Sequence, residues 1–311
     1  QATPNFDIPT LLDPDVGLVR LVAPGMLTLI ALLIFCGIMG KSAQFPLHIW
    51  LPNAYAYAPS LVTAFLAATA TKVSVYILLR FVFSVFGVTF AFETLGLGGV
   101  LMFLSLLGIF VASTVAIFQT NIKRMLAYSS VAQIGYMVLG ISFASTTGLV
   151  AAIVHLFNHA LIKGGLFMAM GCVMLRLKSV DIEDMAGIGR KMPFTMAAWA
   201  VGGLGLIGIP ATAGFISKWY LIRAALEQNW WIVAVMVLIS SLLAVIYIWR
   251  VIETAFFKEP SARAREAREA PLSMLLPTWV LVGATLFFGV MTSMSAGVAG
   301  RAAEVLLRVI P

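Results

Sequence analysis

Charged side chains are scarce in this chain of 311 residues, because Asp, Glu, Lys and Arg together make up 11% of it. Soluble domains carry about 25% charged residues, so this content excludes an ordinary soluble fold. Hydrophobic residues supply 61% of the sequence, and they are gathered into long apolar runs. The sequence therefore predicts an all-α protein that crosses a membrane several times.

Cysteine is also scarce, with Cys36 and Cys172 each inside an apolar run. Two such cysteines exclude a disulfide framework and a cysteine metal site, and buried free thiols are expected. Histidine occurs three times, without an H-E-x-x-H pattern or a nearby carboxylate in the apolar runs. We therefore predict no bound metal and no cofactor.

The apolar runs predict about eight transmembrane helices, since a spanning helix needs about 20 apolar residues. They lie near 22–43, 60–84, 95–119, 126–143, 148–175, 194–216, 231–257 and 272–296. Basic residues concentrate in the connections after the third, fifth and seventh runs. Positively charged loops stay on the cytoplasmic side, so eight crossings with both chain ends outside fit this distribution.

Two of the predicted helices are interrupted by glycine and proline, which weaken helical hydrogen bonding. The segment 25–57 contains Pro46 and Pro52, and the segment 194–227 contains Gly208, Pro210 and Gly214. We expect two discontinuous helices, related as parts of an internal repeat. Irregular backbone at membrane depth lines a cavity or is buried in protein, so each break indicates a site.

Four lysines fall in or beside these membrane segments. Lys72 and Lys163 lie well inside apolar runs, whereas Lys41 and Lys218 lie at the two interruptions. Charges inside a bilayer are costly and usually functional. The alternative is that the long side chains reach the membrane surface, which is easier for Lys41 and Lys218 than for the other two.

The histidines extend this set. His155, His159 and Lys163 are spaced i, i+4, i+8, which places them on one helix face. Because imidazole titrates near neutral pH, such a row predicts a proton relay. The alternative is that the histidines only hydrogen-bond neighbouring helices. His48, in the first interruption, is a secondary candidate.

Acidic residues are missing from the apolar runs: all 13 Asp and Glu lie in loops, near span ends or in the termini. Glu253, with Arg250, comes nearest to the membrane, and both are secondary candidates. A lysine that switches charge needs a counter-charge to set its proton affinity. We therefore expect the partner carboxylate in a missing N-terminal part or in another subunit.

A G-x-G-x-x-G pattern at Gly203, Gly205 and Gly208 resembles a dinucleotide-binding loop. That fingerprint requires a strand before it and a helix after it, whereas this one lies inside an apolar run. A helix-packing or helix-breaking role is therefore expected.

Five stretches together carry a family resemblance. They are "GKSAQFPLHIWLPNAY", "TKVSVYILLRF", "NIKRMLAYSSVAQIGYM", "HLFNHALIKGGLF" and "GIPATAGFISKW", in this order. The chain resembles the antiporter-like membrane subunits shared by respiratory complex I and the Mrp-type cation/proton antiporters, and most of all the Mrp D-type subunit. That family has fourteen spans in two inverted repeats, and the eight runs here resemble its seventh to fourteenth.

The resemblance implies roles and boundaries. Lys41 and Lys72 correspond to the lysines of the first broken helix and of the next helix. Lys218 corresponds to the ion-handling residue of the second broken helix, which is glutamate in some family members, and His155, His159 and Lys163 correspond to the central connecting residues. The family's first half holds a glutamate that pairs with the lysine matching Lys41, and no matching span is present here. The expected divisions are a solvated lead at 1–20, the end of the first repeat at 21–84, the second repeat at 95–257, a charged loop at 258–271, and the last helix with its tail at 272–311.

We therefore expect a proton-translocating subunit of a cation/proton antiporter or of a complex I-like NADH-quinone oxidoreductase, not catalytic by itself. Its expected partners are other membrane subunits of the same complex, the lipid bilayer and protons, with sodium as a candidate coupled ion, and no nucleic acid. The expected location is a bacterial inner membrane. The alternative is a structural membrane subunit or fragment that transports nothing.

Overall fold

The fold is known from a computed structural model that describes residues 24–308. Within this range the regular structure is helical, apart from one isolated bridge between Asn121 and Asp181. The helices are α1 Pro24–Ser42, α2 Trp50–Tyr57, α3 Ser60–Ala68, α4 Ala70–Arg80, α5 Leu97–Ile117, α6 Ile122–Ser142, α7 Thr146–Leu177, α8 Pro193–Ile207, α9 Ala213–Glu227, α10 Trp231–Phe257, α11 Ala262–Glu266, α12 Leu272–Val290 and α13 Thr292–Arg308. The predicted all-α membrane fold is confirmed. The predicted solvated lead, 1–20, lies outside the described residues.

Seven helical stretches in the described range are long and apolar enough to cross a membrane. They are Gly25–Ser42, Ser60–Val85, Leu97–Ile117, Ile122–Ser142, Thr146–Leu177, Trp231–Phe257 and Leu272–Val290. Each coincides with a predicted span. The remaining predicted span, near 194–216, is divided between α8 and α9, which have 15 residues each.

Helices α6 and α7 form the centre of the bundle. In the most apolar 18-residue stretch of α6, 94% of the residues are buried, whereas 22% are buried in the corresponding stretch of α1. The 32-residue α7 packs against α3, α6, α8, α9, α12 and α13. Polar side chains on α6 and α7 therefore face other helices rather than lipid.

The first interruption separates α1 from α2. Residues 43–49 form turns, and Pro46 lies among them. Pro52 lies in the first turn of α2, where the missing backbone N–H of a proline costs little. Gly214 likewise lies in the first turn of α9. The prediction that Pro52 and Gly214 mark the breaks themselves is therefore wrong, whereas Pro46, Gly208 and Pro210 do lie in the non-helical connections.

The structure contains a third interruption that was not predicted from the sequence. The predicted span 60–84 is divided into α3 and α4 at Thr69, whose φ of −120° and ψ of −55° lie outside the helical region. The Thr69 hydroxyl donates to the Phe65 carbonyl at 2.8 Å. Such back-bonding by threonine bends helices, which is consistent with a break in a segment without Gly or Pro.

Two other expectations change in detail. Cys172 is buried as expected, but Cys36 is exposed on the outside of the bundle, and both are free thiols. The tail after α12 contains a further helix, α13, which packs against α7 and buries Ala299 and Ala303 almost fully. The chain therefore adds an amphipathic helix after its last predicted span.

Glu269 joins the charged loop 258–271 to the start of α8. Its carboxylate accepts hydrogen bonds from the Phe194 amide at 2.8 Å, the Thr195 hydroxyl at 2.5 Å and the Ala270 amide at 2.8 Å. Amides at a helix N-terminus lack helical partners and favour a negative charge. Glu269 therefore caps α8 from a distant part of the sequence, and its backbone carbonyl also accepts from Arg176 at 2.7 Å.

Replacing Glu269 with alanine is expected to lower the free energy of unfolding by about 2 kcal/mol, because several charge-assisted bonds are lost together. Thermal unfolding of the purified protein in detergent measures this loss. Glu266→Ala in the same loop is the matched control, since Glu266 is exposed. Equal unfolding temperatures for the two variants would contradict the capping role.

Candidate functional site

Lys72 lies directly after the break at Thr69 and is 5% exposed. Its ammonium donates hydrogen bonds to the Ala67 carbonyl and, at 3.3 Å, to the Thr71 hydroxyl. The Ala67 carbonyl belongs to the last turn of α3, where carbonyls lack helical partners and favour a cation. The break therefore provides the acceptor that holds Lys72 inside the bundle.

Lys163 on α7 is fully buried. Its ammonium donates to the Leu126 carbonyl at 2.6 Å and to the Ser129 hydroxyl, both on α6. The neighbouring Gly164 faces the break between α3 and α4, because a Cβ added there would lie 3.7 Å from the Cβ of Ala68. Lys163 and Lys72 therefore come from different helices to the same part of the bundle.

The two histidines of α7 continue from Lys163 along the same helix face. The His155 and His159 rings are nearly parallel, at 10°, with centroids 5.9 Å apart. Both side chains are buried inside the bundle. The predicted grouping of the histidines with Lys163 on one face matches this geometry.

His155 connects α7 with α9, since its Nδ1 lies 2.7 Å from the Ser217 hydroxyl. That hydroxyl also lies 3.1 Å from the Gly214 carbonyl, to which it donates its single hydrogen. Ser217 therefore links the His155 ring to the first turn of α9. Nε2 of His155 and both nitrogens of His159 contact no protein donor or acceptor within the described residues.

Lys218 follows Ser217 and lies against the break between α8 and α9. Gly208 ends α8 with a φ of +88°, a conformation that glycine adopts without strain. The Lys218 ammonium donates to the carbonyls of Ile207 at 2.7 Å and Leu206 at 3.4 Å, and to the Ser241 hydroxyl at 3.0 Å. It also lies 4.9 Å from the centroid of the Tyr136 ring.

This environment suits the protonated form of Lys218. An ammonium has three N–H donors, and three oxygens surround it. The two carbonyls are at a helix C-terminus, which favours positive charge. The hydrogen bonds of Lys72, Lys163 and Lys218 all go to neutral oxygens, so the structure balances these charges with dipoles.

The remaining predicted site residues lie apart from this row. Lys41 is exposed and faces a cleft of about 300 Å³ between α1 and α4, lined also by Gly37 and Ser74. His48 is buried among the turns after α1, where its ring stacks on Phe45 with a centroid distance of 5.3 Å. Neither residue is brought to the histidines.

Arg250 and Glu253 belong to the end of α10. Arg250 is partly buried and donates to the Ile117 carbonyl at 2.7 Å, which caps the end of α5. Glu253 is exposed. The ion pairs Arg223–Glu227 and Arg263–Asp184 lie at the surface, where Asp184 is half-buried and the other three side chains are exposed.

Four uncharged side chains complete the row and were not among the site residues predicted from the sequence. Ser129, Tyr136, Ser217 and Ser241 contact Lys163, Lys218 or the ring of His155. A signal for two of them was present, because Ser129, Gln133 and Tyr136 follow the i, i+4, i+7 spacing of one helix face. A polar stripe within an apolar helix points toward a buried site.

Comparisons with known proteins agree on one family. The family model described as "NADH:quinone oxidoreductase/Mrp antiporter, TM" matches residues 12–244, more than half of the chain. "NADH-quinone oxidoreductase subunit N" of Desulforudis audaxviator is 41% identical over 290 residues, which cover 88% of this chain and 55% of the relative. The chain thus spans about half the length of the curated relatives it matches.

Solved structures show the same fold. A chain of the Mrp complex from Dietzia superposes with a TM-score of 0.84 at 22% identity, over 97% of this chain and 65% of that one. A chain of the archaeal membrane-bound sulfane sulfur reductase superposes with a TM-score of 0.84 at 28% identity, over 96% of this chain and 59% of that one. The narrower resemblance to a D-type Mrp subunit remains a prediction, because the matches include respiratory and Mrp complexes. The chain belongs to the family of membrane subunits shared by NADH:quinone oxidoreductases and Mrp antiporters.

Proposed function

We propose that this multi-pass membrane protein conducts protons through the membrane as one subunit of a larger complex. The observation that carries the proposal is the row of buried titratable side chains that runs from Lys72 through Lys163 and the histidines to Lys218. The row begins and ends at helix breaks. Buried charges inside a membrane are costly, so a purely structural row of this kind has no evident benefit.

The chemistry assigned to the row is proton exchange between ammonium groups and imidazoles. Each imidazole has two ring nitrogens, so it accepts a proton on one side and releases one on the other. His155 reaches Ser217 with Nδ1, while the ring nitrogens of His159 are free to bind water. Ser217 precedes Lys218 directly in the chain, so the histidines end beside the lysine at the second break.

Lys41 is assigned a different partner. It lies at an exposed cleft between α1 and α4, away from the row. The family resemblance implies that the lysine in this position pairs with a glutamate. We assign that carboxylate to a membrane segment outside the described residues, in the same subunit or in a neighbouring one, where it would set the proton affinity of Lys41.

The identity of the relatives guides the assignment of the complex. They are named as subunits of NADH-quinone oxidoreductases, and one solved relative belongs to an Mrp complex. We propose that this chain serves a complex of one of these kinds in a bacterial inner membrane. Its driving force is then either electron transfer in other subunits or a cation gradient, with sodium as one candidate.

Replacing Lys163 with methionine is expected to reduce proton transport by the assembled complex at least about tenfold, since general acid–base groups contribute about that much or more. The substitution removes the titratable group with little other loss, because the Leu126 carbonyl also accepts from the hydroxyls of Ser129 at 2.8 Å and Ser130 at 3.0 Å. Proton uptake into vesicles that contain the purified complex measures the effect.

The matched control is Lys191→Met, because Lys191 is an exposed lysine in a loop. It is expected to leave both assembly and transport unchanged. Normal transport by the Lys163→Met complex would reject the relay and favour the alternative, a structural subunit that transports nothing.

A further inference from the structure

Tyr136 occupies the space between two members of the proposed row and is 2% exposed. The Lys218 ammonium lies 4.9 Å from the centroid of its ring. The ring also contacts His155, with centroids 5.7 Å apart and an interplanar angle of 67°. One aromatic side chain on α6 therefore contacts a lysine of α9 and a histidine of α7.

The turn of α10 around Ser240 fixes Tyr136 and the lysine together. The Tyr136 hydroxyl lies 2.6 Å from the Ser240 hydroxyl, and Ser240 in turn donates to the Val237 carbonyl at 2.8 Å. The next residue, Ser241, donates to the same carbonyl at 3.1 Å and accepts from Lys218 at 3.0 Å. The adjacent residues Ser240 and Ser241 thus form hydrogen bonds with the Tyr136 hydroxyl and with the Lys218 ammonium, respectively.

We propose that Tyr136 is a positioning residue, whose ring holds the protonated Lys218 at the Ser217 end of the row, beside His155. The face of an aromatic ring attracts a cation, and more strongly where water is excluded. The ring therefore adds an attractive contact for the ammonium to its hydrogen bonds with the carbonyls of α8 and with Ser241. The effect on transport rests on the proposed function, whereas the contact between ring and ammonium does not.

The contact itself is tested by a double-mutant cycle on the unfolding temperature of the purified protein. Tyr136→Leu is compared in two backgrounds, the natural protein and Lys218→Met. The expected result is that removal of the ring lowers the unfolding temperature by at least about 2 °C more when the lysine is present. Equal shifts in the two backgrounds would overturn the contact.

The positioning role is tested by proton transport of the assembled complex. Tyr136→Leu is expected to lower transport about tenfold, whereas Tyr136→Phe, which keeps the ring, stays within about twofold of the natural protein. Phe83→Leu is the control for the loss of a buried ring, because Phe83 is fully buried and its measured ring contact is with Phe92. It is expected to leave transport unchanged.

The outcomes separate this inference from the proposed function. Transport by Tyr136→Phe as low as that of Tyr136→Leu would show that the hydroxyl matters instead of the ring, and would overturn the positioning role. Normal transport by Lys218→Met would reject the proposed function. The unfolding cycle would still decide whether the ring holds the ammonium.

Discussion

Alanine at Gly214 is expected to prevent the normal packing of α8 against α9 and to lower the free energy of unfolding by about 3 kcal/mol or more. An added Cβ would overlap the carbonyl oxygen of Gly205 and lie 3.1 Å from its carbonyl carbon. It would also approach the Cα of Gly208 at 3.5 Å. These neighbours are backbone atoms, so they cannot move aside as a flexible side chain would.

The expected result of Gly214→Ala is little assembled complex in the membrane and a lower unfolding temperature for the protein that is recovered. Gly283→Ala is the matched control, since a Cβ at Gly283 on α12 would meet no atom within 4 Å. Normal assembly of both variants would mean that the two half-helices do not pack as closely as described.

Methionine at Lys218 is expected to lower proton transport about a hundredfold, the effect of removing an acid–base group from a reaction. Lys218 donates to the Ile207 carbonyl at the second helix break. The residue before it, Ser217, forms hydrogen bonds with His155 and with the Gly214 carbonyl. Methionine replaces most of the apolar stem of the lysine side chain and removes its ammonium. It leaves the Ile207 and Leu206 carbonyls without this donor, which is expected to cost about 1–3 kcal/mol of stability.

Transport is therefore measured per assembled complex, so that lost protein is not counted as lost activity. Arg223→Met supplies the control on the same helix, because Arg223 is exposed and its ion pair with Glu227 lies on the surface. Surface pairs contribute at most about 1 kcal/mol. A drop in transport equal to that of Lys218→Met would show that any loss of charge from α9 is harmful, which would contradict a specific role for Lys218.

Glycine and proline were sufficient to predict two of the helix interruptions from the sequence, whereas the third was not predicted. Pro46 and Pro210 lie in non-helical connections, as expected from their lack of a backbone donor. The break at Thr69 falls in "AATATK", which contains neither residue type. Threonine hydroxyls compete for backbone carbonyls only weakly, so one such residue gives no clear sequence signal.

The candidate site was also predictable from the sequence only in part. The helical spacing of His155, His159 and Lys163 was sufficient to predict a shared face, because that arrangement depends on one helix alone. Tyr136 and Ser241 approach Lys218 from α6 and α10, and such contacts depend on packing between distant segments. Lys41 and His48 looked equivalent to the other candidates in sequence, yet tertiary structure leaves them outside the row.

The three oxygens around Lys218 give the second break an intrinsic spectroscopic reporter. A neutral amine has two N–H bonds where the ammonium has three, so release of the proton deprives one of these oxygens of its donor. The stretching frequency of a carbonyl rises when a hydrogen bond to it is lost. A neutral N–H is also a weaker donor than a charged one, so the bonds that remain weaken as well. Infrared difference spectra of protein with isotopically labelled Leu206 and Ile207 would therefore register discharge of Lys218 as displaced carbonyl bands, in real time and without a foreign dye.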